Sequence, residues 1–534
     1  MNTSELIKLV TCIEENVRAS HSAGLSFVDS RHQRGRLASK QNHVVFGRRG
    51  AGKTSLAMSI CETSEFLDIF LNLEDYKDIT FPNIILHVLI ESFEALNIRM
   101  NDSCKWYNIK FLRMYKLKKR LVNVAMMLRN LLHEPDAEKQ EVCEQISNNQ
   151  MSGASVAKYG VGISNSKQHG ESKEIKRQIP KNKLEYLRLE LTSYKELIDS
   201  VSSYFDGKPI FLVMDDFYFI PKEIQPEFID YFHRLTKGTS LFIKIATIKH
   251  RSKLYRRRDS QYIGVELGHD IFEVDMDYSL DNFDELKAFM EQLLNNAISA
   301  AKINISVSEL FAGDGFSQLC LASGGVPRDF LSLFVTLATK ASTDGVAIGK
   351  VQVTDAAISC VGNKLESMKK DSGDEDSILI HCLNQIKRYV YAEKRTNAFL
   401  IAKDDLENDH HGKQVIRELA DLRLIHLVDH NTSKAPSDGR RYEAYIIDIG
   451  LYDNSKPRNF NQIDPSQRDD RARKDSLRGS PVFPLIRFTE TENNTPASLI
   501  LPEEEVESTS ARQLVDSRES TTYNMKQQLA LSYE

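Results

Sequence analysis

Eight residues near the N-terminus, Gly47-Arg48-Arg49-Gly50-Ala51-Gly52-Lys53-Thr54, have the types and spacing to hold a triphosphate. Gly50 and Gly52 let the backbone turn its N–H groups inward, where a Cβ would collide with a phosphate. A helix reading from Ser55 onward adds the positive end of its dipole. In this pattern Lys53 reaches the β- and γ-phosphates and the Thr54 hydroxyl ligates Mg²⁺, so Gly47 to Ser55 is the candidate nucleotide-binding set. The pattern does not separate ATP from GTP.

Such a loop needs an acidic partner at the end of a neighbouring strand. The run Ile210-Phe211-Leu212-Val213-Met214 ends in Asp215-Asp216 and supplies one. Asp215 would hold the magnesium hydration shell, and Asp216 would polarise the attacking water. The plainer reading is a pair of acids that solvate a strand end. A further apolar run, Leu241–Ile248, carries Thr247, with Lys249 just beyond. A polar group there can sense the γ-phosphate or orient water, or simply end a surface strand. Gly324-Gly325-Val326-Pro327-Arg328 precedes an apolar helix. Pro327 suits a first helical turn, and Arg328 can point back at phosphates. Lys53, Asp216, Thr247 and Arg328 form the candidate catalytic set, with Thr54 and Asp215 on the metal.

These residues need a scaffold, and the hydrophobic pattern outlines one. His43–Phe46, Phe66–Leu73, Ile210–Met214, Leu241–Ile248 and Ile271–Met276 read as short strands alternating with helices. That alternation predicts an α/β fold, a parallel sheet covered by helices on both faces, over residues 1–278. Residues 100–195 read as an insertion, with a basic helix at Phe111–Leu132 and a weakly specified hairpin at Ser155–Lys167. From 279 to 370 the pattern is helical, a lid, and the polar Lys369–Asp376 reads as a linker. Residues 371–455 run helix, strand, helix, helix, strand, strand, the winged-helix plan. The polar stretch 456–534 reads as a disordered tail.

At 534 residues and a net charge of -5, with 41% hydrophobic and 27% charged residues, the chain has the composition of a soluble protein and is not globally basic. Its seven cysteines are scattered, with no CxxC pair, which fits reduced thiols in a cytoplasmic setting. No signal peptide and no apolar run of membrane-spanning length is readable, so no membrane partner is expected.

The segments Gly47–Ala57, Ile210–Pro221 and Gly324–Leu331 together resemble the AAA+ ATPases of the origin-recognition and replication-initiator type, in their bacterial branch. The resemblance implies ATP with Mg²⁺, ATP hydrolysis, Asp215 and Asp216 as the Walker B acids, Thr247 as the first sensor and Arg328 as the second. It spans residues 27–340, with the winged-helix unit where that family has its own. The second acid there is usually Glu, so Asp216 implies slow hydrolysis. The STAND class of signalling NTPases shares the loop, the paired acids and a winged helix, which leaves anti-phage signalling by ATP-dependent oligomerisation as the alternative. Arg256, Arg257 and Arg258 lie where an arginine finger to a neighbouring subunit would be sought, which implies self-association or a protein partner. Lys413, Gln414 and Arg417 on the winged-helix unit, with Lys434, Arg440 and Arg441 on its wing, are candidate contacts to double-stranded DNA. Acids on the same helix, Glu418 and Asp421, argue instead for a docking role. Phosphoryl transfer to a small molecule is the weakest reading, because no acceptor motif is evident.

Overall fold

The computed structural model describes residues 3–16, 25–61, 63, 65–102, 111–134, 182–258, 261–372, 376–453, 457–465 and 474–489. The hairpin expected at Ser155–Lys167 lies outside them. The N-terminal half contains α1 (Thr3–Asn16), α2 (Gln33–Leu37), β1 (His43–Phe46), α3 (Lys53–Cys61), β2 (Leu67–Asn72), α4 (Asn83–Asp102), α5 (Phe111–His133), α6 (Lys183–Leu189) and α7 (Leu191–Tyr204). It continues through β3 (Ile210–Asp215), α8 (Gln225–Thr236), β4 (Leu241–Thr247), the antiparallel pair β5 (Tyr255–Arg258) and β6 (Gln261–Gly264), and β7 (Phe272–Asp275).

Five strands form a parallel sheet in the order β2-β3-β4-β1-β7. Every residue of β3 is buried, as its unbroken apolar run requires when helices cover both faces. Side chains alternate between two cores. Ile210, Leu212 and Met214 pack with α4, α5, α7 and α8, whereas Phe211 and Val213 pack with α2 and α3. β2, at the edge, alternates buried and half-buried positions. Because the strands are parallel, everything that follows their C-terminal ends emerges along one rim of the sheet.

The lid comprises α9 (Phe283–Ala300), α10 (Val307–Leu310), α11 (Gly315–Ala322), α12 (Pro327–Asp344) and α13 (Lys350–Ser372). α1 packs here and not on the sheet, with Leu6, Leu9 and Ile13 fully buried in the lid core, so the helix is not part of the 1–278 unit expected from sequence. Between the lid and the strap leading to the sheet, Arg31 bonds Glu285 of α9 at 2.6 Å, and Gln33 bonds the Asp275 carbonyl of β7 at 2.6 Å. His32, between them, has a φ of 55°, in the left-handed region.

The C-terminal unit follows as α14 (Asp376–Lys387), β8 (Ala398–Ala402), α15 (Lys403–Asn408), α16 (His410–Asp421), β9 (Ile425–Thr432) and β10 (Tyr442–Ile447), with a β8-β10-β9 antiparallel sheet. It shares one continuous core with the lid. The polar break is therefore short: α13 runs to Ser372 and α14 starts at Asp376. The disordered tail expected from 456 onward is corrected for 457–465 and 474–489. There α17 (Asp475–Arg478) leads into a segment that bonds both sides of Leu400, through the Pro481 carbonyl and the Phe483 amide, each at 2.8 Å. Phe483 is fully buried, so a few apolar residues in a polar stretch were enough to dock it along the β8 edge. Among the described residues no helix is long and apolar enough to cross a membrane.

One buried charge sits at the centre of the sheet. The Lys244 ammonium, on β4, donates to the Ser39 and Gln41 carbonyls at 2.7 Å each and lies 4.3 Å from the Phe211 ring centre. Burial pushes its pKa down from 10.5 to about 7. Below about pH 7 the folded chain carries this cation at its full desolvation cost. Above it the folded chain sheds a proton that the unfolded chain keeps until 10.5, so this residue makes stability rise with pH across that window. Urea midpoints measured from pH 7 to 9 should show that rise in the parent chain, and a shallower one in Lys244→Met.

Candidate functional site

At the rim of the sheet, facing the lid, is a cavity of about 320 Å³. Its floor is the loop from Arg49 to Ser55, entered from β1 and continued by α3. Gly50 has a φ of 87° and Gly52 of 93°, conformations that suit glycine. A Cβ on Gly50 would also lie 2.8 Å from the Arg328 Cβ, because the first turn of α12 rests on the loop there. The Arg328 amide donates to the Gly50 carbonyl at 3.3 Å. The Arg328 side chain lines the cavity and makes no hydrogen bond or ion pair among the described residues.

Lys53 is buried and folded back on the loop, its ammonium donating to the Gly47 carbonyl at 2.9 Å and the Arg48 carbonyl at 3.2 Å. Burial pulls its pKa down, against the opposing charges of Asp216 and Asp215. The Asp215 carboxylate is buried, and that burial pushes its pKa upward against the opposing influence of Thr54 and Lys53 beside it. Asp216 lines the cavity, and burial, with Asp215 next to it, raises its pKa to about 6. The Thr54 hydroxyl and the Asp215 carboxylate are the oxygen donors that would hold a hydrated Mg²⁺, beside a loop whose two glycines have positive φ.

Several expected residues stand elsewhere. Arg48 does not line the cavity. Its guanidinium bonds the Tyr278 carbonyl at 3.1 Å and the Gly324 carbonyl at 2.9 Å, and its amide bonds Asp277 at 2.9 Å, so it ties the loop to the lid. Gly47 is likewise outside, with its amide on the Thr247 carbonyl at 3.2 Å. Thr247 is fully buried at the end of β4, beside the loop strand in register with Phe46, but its hydroxyl pairs with Ser252 at 2.5 Å and does not reach the cavity. Arg256 is ion-paired to Glu227 within the chain, while Arg257 is exposed.

The C-terminal unit leans on this region. α16 packs against residues Lys249–Arg251, just past β4. Arg417, a candidate DNA contact, bonds the Tyr445 hydroxyl at 2.7 Å and Glu443 at 2.6 Å. Arg440 is paired with Asp404 and Asp405. Gln414 bonds Glu418 at 3.0 Å, whereas Lys413 and Arg441 are exposed. Asp421, at the end of α16, is pushed up to about 7, by burial first and then by Asp277 of the rim.

Other cavity residues had no sequence signal of their own. Leu25 to Val28 and Tyr278 also line the cavity, and the strap carrying Leu25 to Val28 is pinned by the Asn296 amide, which donates to the Ser26 carbonyl at 2.6 Å. Glu74, just after β2, lines the cavity close enough to Asp216 to raise its pKa. It was findable only as an acid soon after a strand.

No protein-family model and no curated protein matches the sequence. Solved structures do. A chain of Drosophila ORC bound to DNA is 11% identical, with 83% of this chain and 89% of that chain covered and a TM-score of 0.32. The Aeropyrum pernix ORC1 protein in complex with DNA is 12% identical, with 80% and 91% covered and a TM-score of 0.33.

The contact at Gly50 is testable. Gly50→Ala combines a left-handed φ with a clash against Arg328 and should cost about 1–3 kcal/mol of stability and weaken nucleotide binding. Gly35→Ala, in α2 with open space around it, should be neutral or slightly stabilising in the same urea titration.

Proposed function

We propose that this chain is an ATP-binding and ATP-hydrolysing molecular switch of the AAA+ kind, which couples nucleotide state to the engagement of DNA or a protein partner through its C-terminal unit. The observation that carries the reading is Arg328: a guanidinium with no hydrogen bond or ion pair among the described residues, on the lid, in the cavity that also holds Lys53, Thr54 and Asp216. A γ-phosphate is the group that would satisfy it, and ADP would not.

In this reading the inward amides of Gly50 and Gly52 and the N-terminus of α3 hold the β-phosphate. Lys53 exchanges the two loop carbonyls for phosphate oxygens. Thr54 and Asp215 would hold Mg²⁺, which would supply positive charge against the phosphates. Asp216, with a pKa of about 6, is largely ionised at neutral pH and takes a proton from the attacking water, with Glu74 beside it. Water oxygen bonds to the γ-phosphorus as the bond to the β-phosphate oxygen breaks, leaving ADP and phosphate. Arg328, drawn to the γ-phosphate, seats α12 on the loop and releases when the phosphate leaves.

The winged-helix reading of residues 371–455 gives the switch an output. Lys413 and Arg441 stay exposed for DNA phosphates, but α16 lies against the rim and Arg417 is used internally. Nucleotide-driven movement of the lid would free that helix. The docked α16 also favours a second reading, a STAND-like signalling NTPase in bacterial anti-phage defence that assembles on ATP and has no need of DNA.

Lys53→Ala should abolish ATP binding measured by calorimetry. Arg328→Ala should weaken ATP by about tenfold, the loss of one charge-assisted contact, and leave ADP within about twofold. ATP binding unaffected by Lys53→Ala would sink the proposal. Duplex-DNA gel mobility with and without ATP separates the outputs: ATP-dependent retardation at physiological salt supports DNA engagement, and its absence even at low salt, with ATP-dependent assembly by light scattering, supports signalling.

A further inference from the structure

Beside the nucleotide cavity lies a second one, of about 370 Å³, between α12, α13 and the turn after α16. Arg49 and Arg328 line both cavities. The second adds Lys364 from α13 and Arg423 from the turn, against a single lining acid, Asp329. That volume lies within the range of small-molecule sites, roughly 300–1,000 Å³.

The charges in it are incompletely answered. Arg423, at a φ of 66°, pairs with Asp329, yet its Nε and the Asp329 Oδ2 are buried without a hydrogen-bond partner. Lys364 bonds Asp448 at 2.7 Å, a carboxylate it shares with His426 at 2.8 Å. Arg328 faces the repulsion of both Arg49 and Arg423, which with burial lowers its pKa. The hydroxyls of Ser332 and Thr336 are the neutral polar groups on the wall. A cluster of guanidiniums around a small, open, hydroxyl-bearing hollow has one natural complement, an anion with several oxygens.

We propose that this second cavity binds a small, multiply charged phosphorylated anion, held by Arg49, Arg328 and Arg423 with Lys364 at its edge, and that it is a site separate from the nucleotide cavity. Its occupant bridges the lid, the phosphate loop and the C-terminal unit, beside the Gly50–α12 contact and the core that the lid and C-terminal unit share. Because two of its arginines also face the nucleotide cavity, an anion here and a γ-phosphate compete for the same positive charge, and each weakens the other by an equal factor.

Inorganic pyrophosphate is the probe. The full chain is first titrated with ADP in magnesium-free buffer, which fills the nucleotide cavity and leaves Arg328 available, and then with pyrophosphate by calorimetry. One saturable site is expected, weakened about tenfold or more by Arg423→Gln and by Ser332→Glu, with ADP affinity unchanged in both. Ser332 is exposed on α12, so the glutamate tests the site without disturbing a core. No saturable pyrophosphate binding to the ADP-loaded chain overturns the proposal, as does binding that neither substitution changes. The use of ADP rests on the nucleotide reading, and the first isotherm separates the failures. A chain that takes no ADP sinks that reading, and the pyrophosphate titration against Ser332→Glu then still decides this one.

Discussion

The contact between Gly50 and the first turn of α12 is the constraint on which the rest of the molecule depends. A side chain at Gly50 would occupy the space of the Arg328 Cβ. Without one, a lid helix lies directly on the loop that follows β1, tied by a single backbone bond. The lid is thereby registered against the sheet at the point where phosphates would sit. Arg48 reinforces the same seam from the other side by bonding carbonyls at Tyr278 and Gly324. The C-terminal unit inherits its position from this seam, since it shares the lid core and reaches the rim through α16.

Charge of both signs meets at the seam. The rim of the sheet contributes Asp215, Asp216 and Glu74, the loop contributes Lys53 and Arg49, and the lid contributes Arg328 with Asp329 next to it. Carboxyl pKa values at Asp215 and Asp216 rise, and the Arg328 pKa falls, because burial penalises each like-charged group. Burial disfavours the charge on each of these groups, and an opposite charge brought beside it offsets that cost, as Lys53 does for the two acids.

How much of this was legible follows from what each element needs. The strands could be read because parallel, doubly covered strands are unbroken apolar runs, as in Ile210–Met214. The loop could be read because Gly50 and Gly52 sit at positive φ, which glycine adopts most readily, and because its spacing matches a phosphate-binding pattern. Asp216 and Arg328 could be read from what precedes them, and both line the cavity. Side-chain direction could not. Arg48 and Arg49 are adjacent and identical, yet one braces the lid and the other faces the cavity, and Thr247 satisfies a nearby serine. Long-range packing was equally hidden: α1 joins the lid across nearly three hundred residues of chain, and the 474–489 segment docks by a few apolar side chains in a polar stretch. Arg417 looked available because helix sequence says nothing of the strand residues it meets, Glu443 and Tyr445.

The strap before β1 gives the seam a mechanical character. Arg31 bonds both Glu285 of the lid and the Asp277 carbonyl just past β7, and Gln33, one residue beyond His32, bonds the Asp275 carbonyl of β7. His32 already occupies a left-handed well costing about 1–2 kcal/mol, with a nearby right-handed well as its relaxed alternative. The strap is therefore a cross-brace: one short run of chain grips lid and sheet together, and the bonds on either side of His32 hold it in that conformation.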